Sequence, residues 1–233
     1  MGVVMKNFFG NLIKLILSIL ILLFGEEYFY KFMNFLGINL NRISSNIVSL
    51  IIYIVIAGCI FIVYKDELQS AFIKYRNKLG SNLLYTVISF IVLFIAIMIS
   101  NYIAKYVAGL LSVNYKGLSF INVFNQTLSL DLIITIVKSI IIIPFIKVTI
   151  FVLGVNNLVN SKSGILLSGL VYSLYVFYPF KAALLYMFVN AIVSFVLFSI
   201  LAYIYKKNNN IAFSILTYIL YVLFAGLLTV KFM

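Results

Sequence analysis

The residues best placed for chemistry lie in one apolar stretch, DLIITIVKSIIIIPFIKVTIFVLG, Asp131 to Gly154, which carries Lys138, Pro144 and Lys147. The stretch is long enough to cross a bilayer, and a lysine near mid-membrane costs about 3 kcal/mol on insertion scales. For Lys147 the functional reading is an intramembrane cation that holds an acidic partner, a lipid phosphate or a neighbouring subunit. The alternative is snorkelling, because Lys147 lies about two turns from the expected cytoplasmic end of its helix, within reach of headgroups. Lys138 lies near the outer end, and Asp131, seven residues earlier on the same helical face, is its expected partner. Pro144 removes a backbone donor and is expected to kink the helix, with neighbouring helices covering the freed carbonyl.

Other candidates are weaker. Glu26-Glu27 with Lys31 reads EExxxK, and paired carboxylates can do acid–base work. They fall at the end of the first apolar run, where a solvated helix-end pair is expected. Asn190, Ser168, Ser173, Ser194 and Thr217 lie within apolar runs, where such residues usually join helices by hydrogen bonds. A serine nucleophile needs a base. Lys138 or Lys147 would have to serve, and no spacing singles out such a dyad. The chain has a single cysteine, Cys59, and no histidine. That leaves no internal disulfide, no thiolate cluster, and neither the commonest metal ligand nor the commonest neutral-pH proton shuttle. No metal or other cofactor is expected.

These residues must be positioned by membrane helices. With 65% hydrophobic and 9% charged residues in 233 and a mean hydropathy of +1.20, the chain falls outside the range of soluble domains. The expected fold is all-α, a polytopic transmembrane bundle of about seven spans. They run near Phe8–Phe24, Ser45–Tyr64, Leu83–Ala104, the stretch described above, Ile165–Phe180, Ala182–Tyr205 and Ile211–Val230. EEYFYKFMNFLGINLNRI reads as an interfacial piece after the first span. The segment Tyr106–Leu130 reads as an extracytoplasmic connection, and Pro179 breaks the fifth span. One membrane domain covers 1–233, with N-terminal spans and connections in 1–131 and core helices in 132–230. Lys65, Lys74, Arg76 and Lys78 make KDELQSAFIKYRNKLGSN the most charged stretch, which the positive-inside rule places in the cytoplasm with the N-terminus. The net charge of +12 is thereby explained by topology and anionic lipid headgroups, and nucleic acid is not an expected partner. The lean toward Ile, Asn, Lys and Tyr fits an AT-rich bacterial genome, and the plasma membrane of a Gram-positive bacterium is the expected location.

Three motifs in order resemble those of the CPBP family, the CAAX-protease and bacteriocin-processing intramembrane metalloproteases also called Abi. PFIKVTIFVLG is similar to the family's PxxEExxFRG. Pro144 and Phe151 match, Lys147 and Val148 stand at the two glutamates, and Val152 stands at the arginine. SGLVYSLYV is similar to SxLLFxxxH, with Ser168, Leu170 and Tyr172 kept and Val176 at the histidine. NIAFSILTYILYV is similar to NxxxSILxHxxxN, with Asn210 and Ser214-Ile215-Leu216 kept, Tyr218 at the histidine and Val222 at the asparagine. The resemblance covers about Ile141 to Val222 and implies a CPBP-like helical core. It also implies that the water-activating residues are gone, so the chain resembles a pseudo-protease and not an enzyme. On that basis it is expected to scaffold or regulate another membrane or cell-envelope protein. Lys147, Tyr172, Asn190 and Tyr218 are its candidate partner-binding residues. Bacteriocin self-immunity and residual cleavage of prenylated or leader-bearing peptides are the competing expectations.

Overall fold

The structure is a computed structural model that describes residues 2–35, 42–113, 130–159, 161–177 and 184–231. Among these residues it contains helices and no strand, which accords with an all-α bundle. Helix α1 spans Gly2–Phe35, α2 Arg42–Val63, α3 Lys65–Arg76 and α4 Leu79–Leu110. One continuous central helix follows over residues 130–158. Its parts are α5 (Leu130–Ile136), a π-helical turn (Val137–Ile142), α6 (Ile143–Val148), a second π turn (Thr149–Gly154) and α7 (Val155–Leu158). Helices α8 (Ser163–Phe177), α9 (Leu184–Asn208) and α10 (Ile211–Lys231) complete the chain.

Among the described residues five helices are long and apolar enough to cross a membrane: Phe8–Met33, Ser45–Val63, Leu79–Leu110, Ile133–Leu158 and Leu184–Asn208. Ser163–Phe177 is apolar but shorter, and Ile211–Gly226 is the apolar part of α10, which itself runs on to Lys231. Fifteen residues of α8 reach about 22 Å, less than the roughly 30 Å hydrocarbon core. Helix α1 does not stop at Phe24 as expected but runs on to Phe35, so EEYFYKFMNF is helix rather than a separate interfacial piece. The Tyr106–Leu130 connection lies largely outside the described residues, as do Pro179 and the side chain of Asp131.

The core sits on the central helix. Val148, Ile150, Phe151, Val152 and Val155 are fully buried, enclosed by α1, α2, α8, α9 and α10, while α4 packs outside against α9 and α10. Helix α4 turns a narrow stripe inward, Thr86, Ser89, Leu93, Ile97, Ser100, Ala104 and Ala108. Its three- and four-residue spacing and small side chains permit close helix approach without a hydrophobic drive. Helices α8 and α9 approach closely at Gly169, where an added Cβ would lie 2.5 Å from the Phe195 carbonyl oxygen. Gly154 makes room in the same way for the Tyr64 hydroxyl at the end of α2.

The asparagine triplet between α9 and α10 builds a turn from helix-end chemistry. Asn209 adopts a left-handed φ of 47°, which asparagine tolerates better than most residues. Asn210 Oδ1 accepts the Ala212 amide at 2.9 Å and caps α10, and its Nδ2 donates to the Ala71 carbonyl of α3 at 3.0 Å. The far end of the central helix meets α3 as well, through Asn157 Nδ2 and Glu67 Oε1 at 3.4 Å, and Asn11 of α1 donates to the Asn157 carbonyl at 3.0 Å. One end of the bundle therefore gathers the start of α1, the charged α3, the end of the central helix and the α9–α10 turn.

Candidate functional site

Pro144 lacks the amide proton that would close the regular helical bond, so its turn cannot continue as an ideal α-helix. The chain carries π turns on both sides of α6. The Ile143 amide bonds the Lys138 carbonyl, five residues back. Single π turns occur disproportionately at functional sites, and here the first contains Lys138 and the second begins two residues after Lys147.

Lys147 sits fourteen residues after Ile133 and eleven before Leu158, near the middle of the span. The expected helix end at Gly154 is corrected to Leu158. Its side chain is half-buried, with Nζ 3.3 Å from the Tyr172 hydroxyl of α8. It lies 5.6 Å and 5.9 Å from the ring centroids of Tyr172 and Tyr175, within cation–π range. The Tyr218 side chain of α10 stands beside Tyr172 and Lys147. Tyr172 stacks on Phe198 of α9 with centroids 3.5 Å apart, and Phe151 meets both rings edge-on at 5.1 and 5.9 Å. No carboxylate among the described residues forms an ion pair with Lys147.

Three of the four partner-binding candidates, Lys147, Tyr172 and Tyr218, thus come together from three separate helices. Tyr172 and Tyr218 are buried, so of these three Lys147 has the most exposed side chain. Asn190 stands apart, its amide donating to the Tyr186 carbonyl of its own helix at 3.0 Å. Val148 and Val152 are fully buried, and Val176 and Val222 are half-buried. Among the described residues no group of histidine, cysteine, aspartate and glutamate could hold a metal ion. With an ammonium, two hydroxyls and aromatic faces, the arrangement can hold an anion but offers no carboxylate or imidazole base for activating water.

A second polar cluster escapes a reading of the sequence. Glu26 of α1 accepts from Ser49 Oγ at 2.7 Å and from the Tyr53 hydroxyl at 2.9 Å, both on α2. Lys138 Nζ donates to the same Ser49 Oγ at 2.9 Å and lies 5.8 Å from the Tyr53 ring centroid. Glu26 is therefore half-buried inside the bundle rather than a solvated helix end, because α1 continues past it and turns that face to α2. Glu27 remains exposed and pairs with Lys31 at 2.8 Å. Ser49 and Lys138 meet like a serine–lysine dyad, yet Ser49 donates its own proton to Glu26 and is 3% exposed. The geometry joins three helices and opposes charges; it does not present a nucleophile. The partners are 23 and 89 residues apart in sequence, so no local spacing announces them.

At the end of the bundle that carries α3, Asn11, Glu67, Asn157, Tyr205 and Asn209 line an open cavity of ≈ 360 Å³. Its hydrogen bonds chiefly tie α1 and α3 to the central helix. No family model, no curated protein and no solved structure matches the chain.

Proposed function

We propose that this chain is a multi-pass protein of the bacterial plasma membrane with a CPBP-like core whose catalytic positions are vacated. In this reading it is not an enzyme; it binds and scaffolds or regulates another membrane or cell-envelope protein. One observation carries the reading: the three motif-bearing segments converge on Lys147, Tyr172 and Tyr218. An ammonium and aromatic rings occupy the meeting point where the resemblance would place carboxylates and imidazoles. An ammonium set among packed aromatic rings supports binding and rigidity rather than water activation. All seven apolar helices cross the membrane in this proposal, with the N-terminus and α3 in the cytoplasm.

The test is purification from native membrane in gentle detergent, followed by identification of what remains bound. A stoichiometric membrane or envelope protein is the expected result, lost on Lys147→Glu. A wild-type chain that purifies with no partner, or that cleaves a prenylated or leader-bearing peptide, overturns the proposal.

A further inference from the structure

We propose that Lys147 receives a carboxylate presented inside the bilayer, from an Asp or Glu near the middle of a partner's transmembrane helix. The inference rests on the scaffold reading and names the chemistry of the partner. Its basis is an imbalance between two intramembrane lysines. Lys138 reaches Glu26 through Ser49, so its charge has a counter-charge one hydroxyl away. Lys147 has a hydroxyl and two ring faces but no ion-paired carboxylate among the described residues. Eleven residues of helix separate it from Leu158, too far for a four-carbon stem to bring its ammonium to the headgroups. Charges held at that depth ordinarily pair with one another.

The surroundings fit a helix better than a small anion. Helices α2 and α8 both pack on the central helix but make little contact with each other. Tyr53 and Tyr175 stand near one another on those two helices, each half-buried, and half-buried Lys147 lies under Tyr175. A neighbouring helix laid over the gap between α2 and α8 could place one side chain at the depth of Lys147. A lipid phosphate stays at headgroup level, and a free anion would have to shed its water to reach mid-span. A helix carboxylate arrives already inserted.

The probe is a single-span Leu/Ala peptide with a central Glu, compared with central Gln and central Leu versions. Each is mixed with the full-length protein in phosphatidylcholine vesicles, and association is read by energy transfer. The Glu peptide should bind about tenfold more tightly than either control, the equivalent of one modest ion pair. Lys147→Met should erase that preference, and Lys147→Glu should transfer it to a central-Lys peptide. Equal binding of Glu, Gln and Leu peptides, or a preference that survives Lys147→Met, overturns the inference. Such a result beside a partner that still co-purifies from native membrane removes this inference alone. A Glu preference in a chain that purifies without any partner removes the scaffold reading instead.

Discussion

Gly169 shows how much one atom decides at a helix contact. A Cβ there would collide with the Ser199 hydroxyl and lie 2.5 Å from the Phe195 carbonyl, a backbone atom that cannot turn aside. Gly169→Ala should therefore push α8 and α9 apart and lower stability by about 1–3 kcal/mol, read as a fall in melting temperature in detergent. Gly10→Ala, with nothing within 4 Å of the added carbon, is the control and should leave that temperature unchanged. The Glu26–Ser49–Lys138 chain makes a different kind of claim, because its members are worth little singly. Removing either charge strands the other in a half-buried site, so Glu26→Gln and Lys138→Met should each destabilise. The double variant should cost less than the two single losses added, by about 1 kcal/mol. Additive losses would show that Ser49 does not couple them.

At the scale of elements, the central helix is the one that departs most from ideal geometry and is also the most enclosed. Its π turns offset the missing amide of Pro144 and set the azimuths of its two lysines separately, Lys138 toward α2 and Lys147 toward α8 and α10. Asn156 fixes its lower end, donating to the Val152 carbonyl at 2.7 Å and to Ser168 Oγ of α8 at 3.0 Å. The α9–α10 turn rests on Asn210, whose side chain caps α10 and holds α3 at once. Asn210→Ala should cost about 2 kcal/mol, the upper range for a lost N-cap, since a bond to α3 is lost as well. Asn210→Ser keeps a capping oxygen and loses the bond to Ala71 without adding a charge, so it should recover part of the loss. Thermal unfolding of the three proteins in one detergent separates these outcomes.

At the scale of the molecule, the arrangement of ends predicts topology. Asn210 touches α3 and Asn157 touches Glu67 of α3, so the chain leaves and returns to that end through α8 and α9. If α3 is cytoplasmic, reporters inserted at Lys162 and at Asn209 should both read as cytoplasmic, and one at the C-terminus as external. An external reading at Asn209 would mean that α8 does not cross and that five helices span the membrane. A cytoplasmic reading there means that α8 crosses, and its short reach then requires the bilayer to thin locally or its flanking residues to complete the crossing. Protease accessibility in sealed vesicles checks the same assignment without a fusion.

The amino-acid sequence by itself determined the class and most of the elements. Hydropathy over about twenty residues is a one-dimensional quantity, and it marked the helices, the charged α3 and the exceptional position of Lys147. The third motif singled out Asn210, though not its cap. Where each polar side chain finds its partner is a question of azimuth and long-range contact, and only the tertiary structure decided it. Glu26 reads as a solvated helix end until α1 is seen to continue and turn it onto Ser49 and Tyr53. Lys147 reads as a lysine two turns from a helix end until the helix is seen to run on to Leu158 and to turn the ammonium onto Tyr172. The physical reason is that these partners are brought together by contacts between helices far apart in sequence. In the central helix a π turn and a proline also shift the facing of later residues, which regular helical spacing cannot follow.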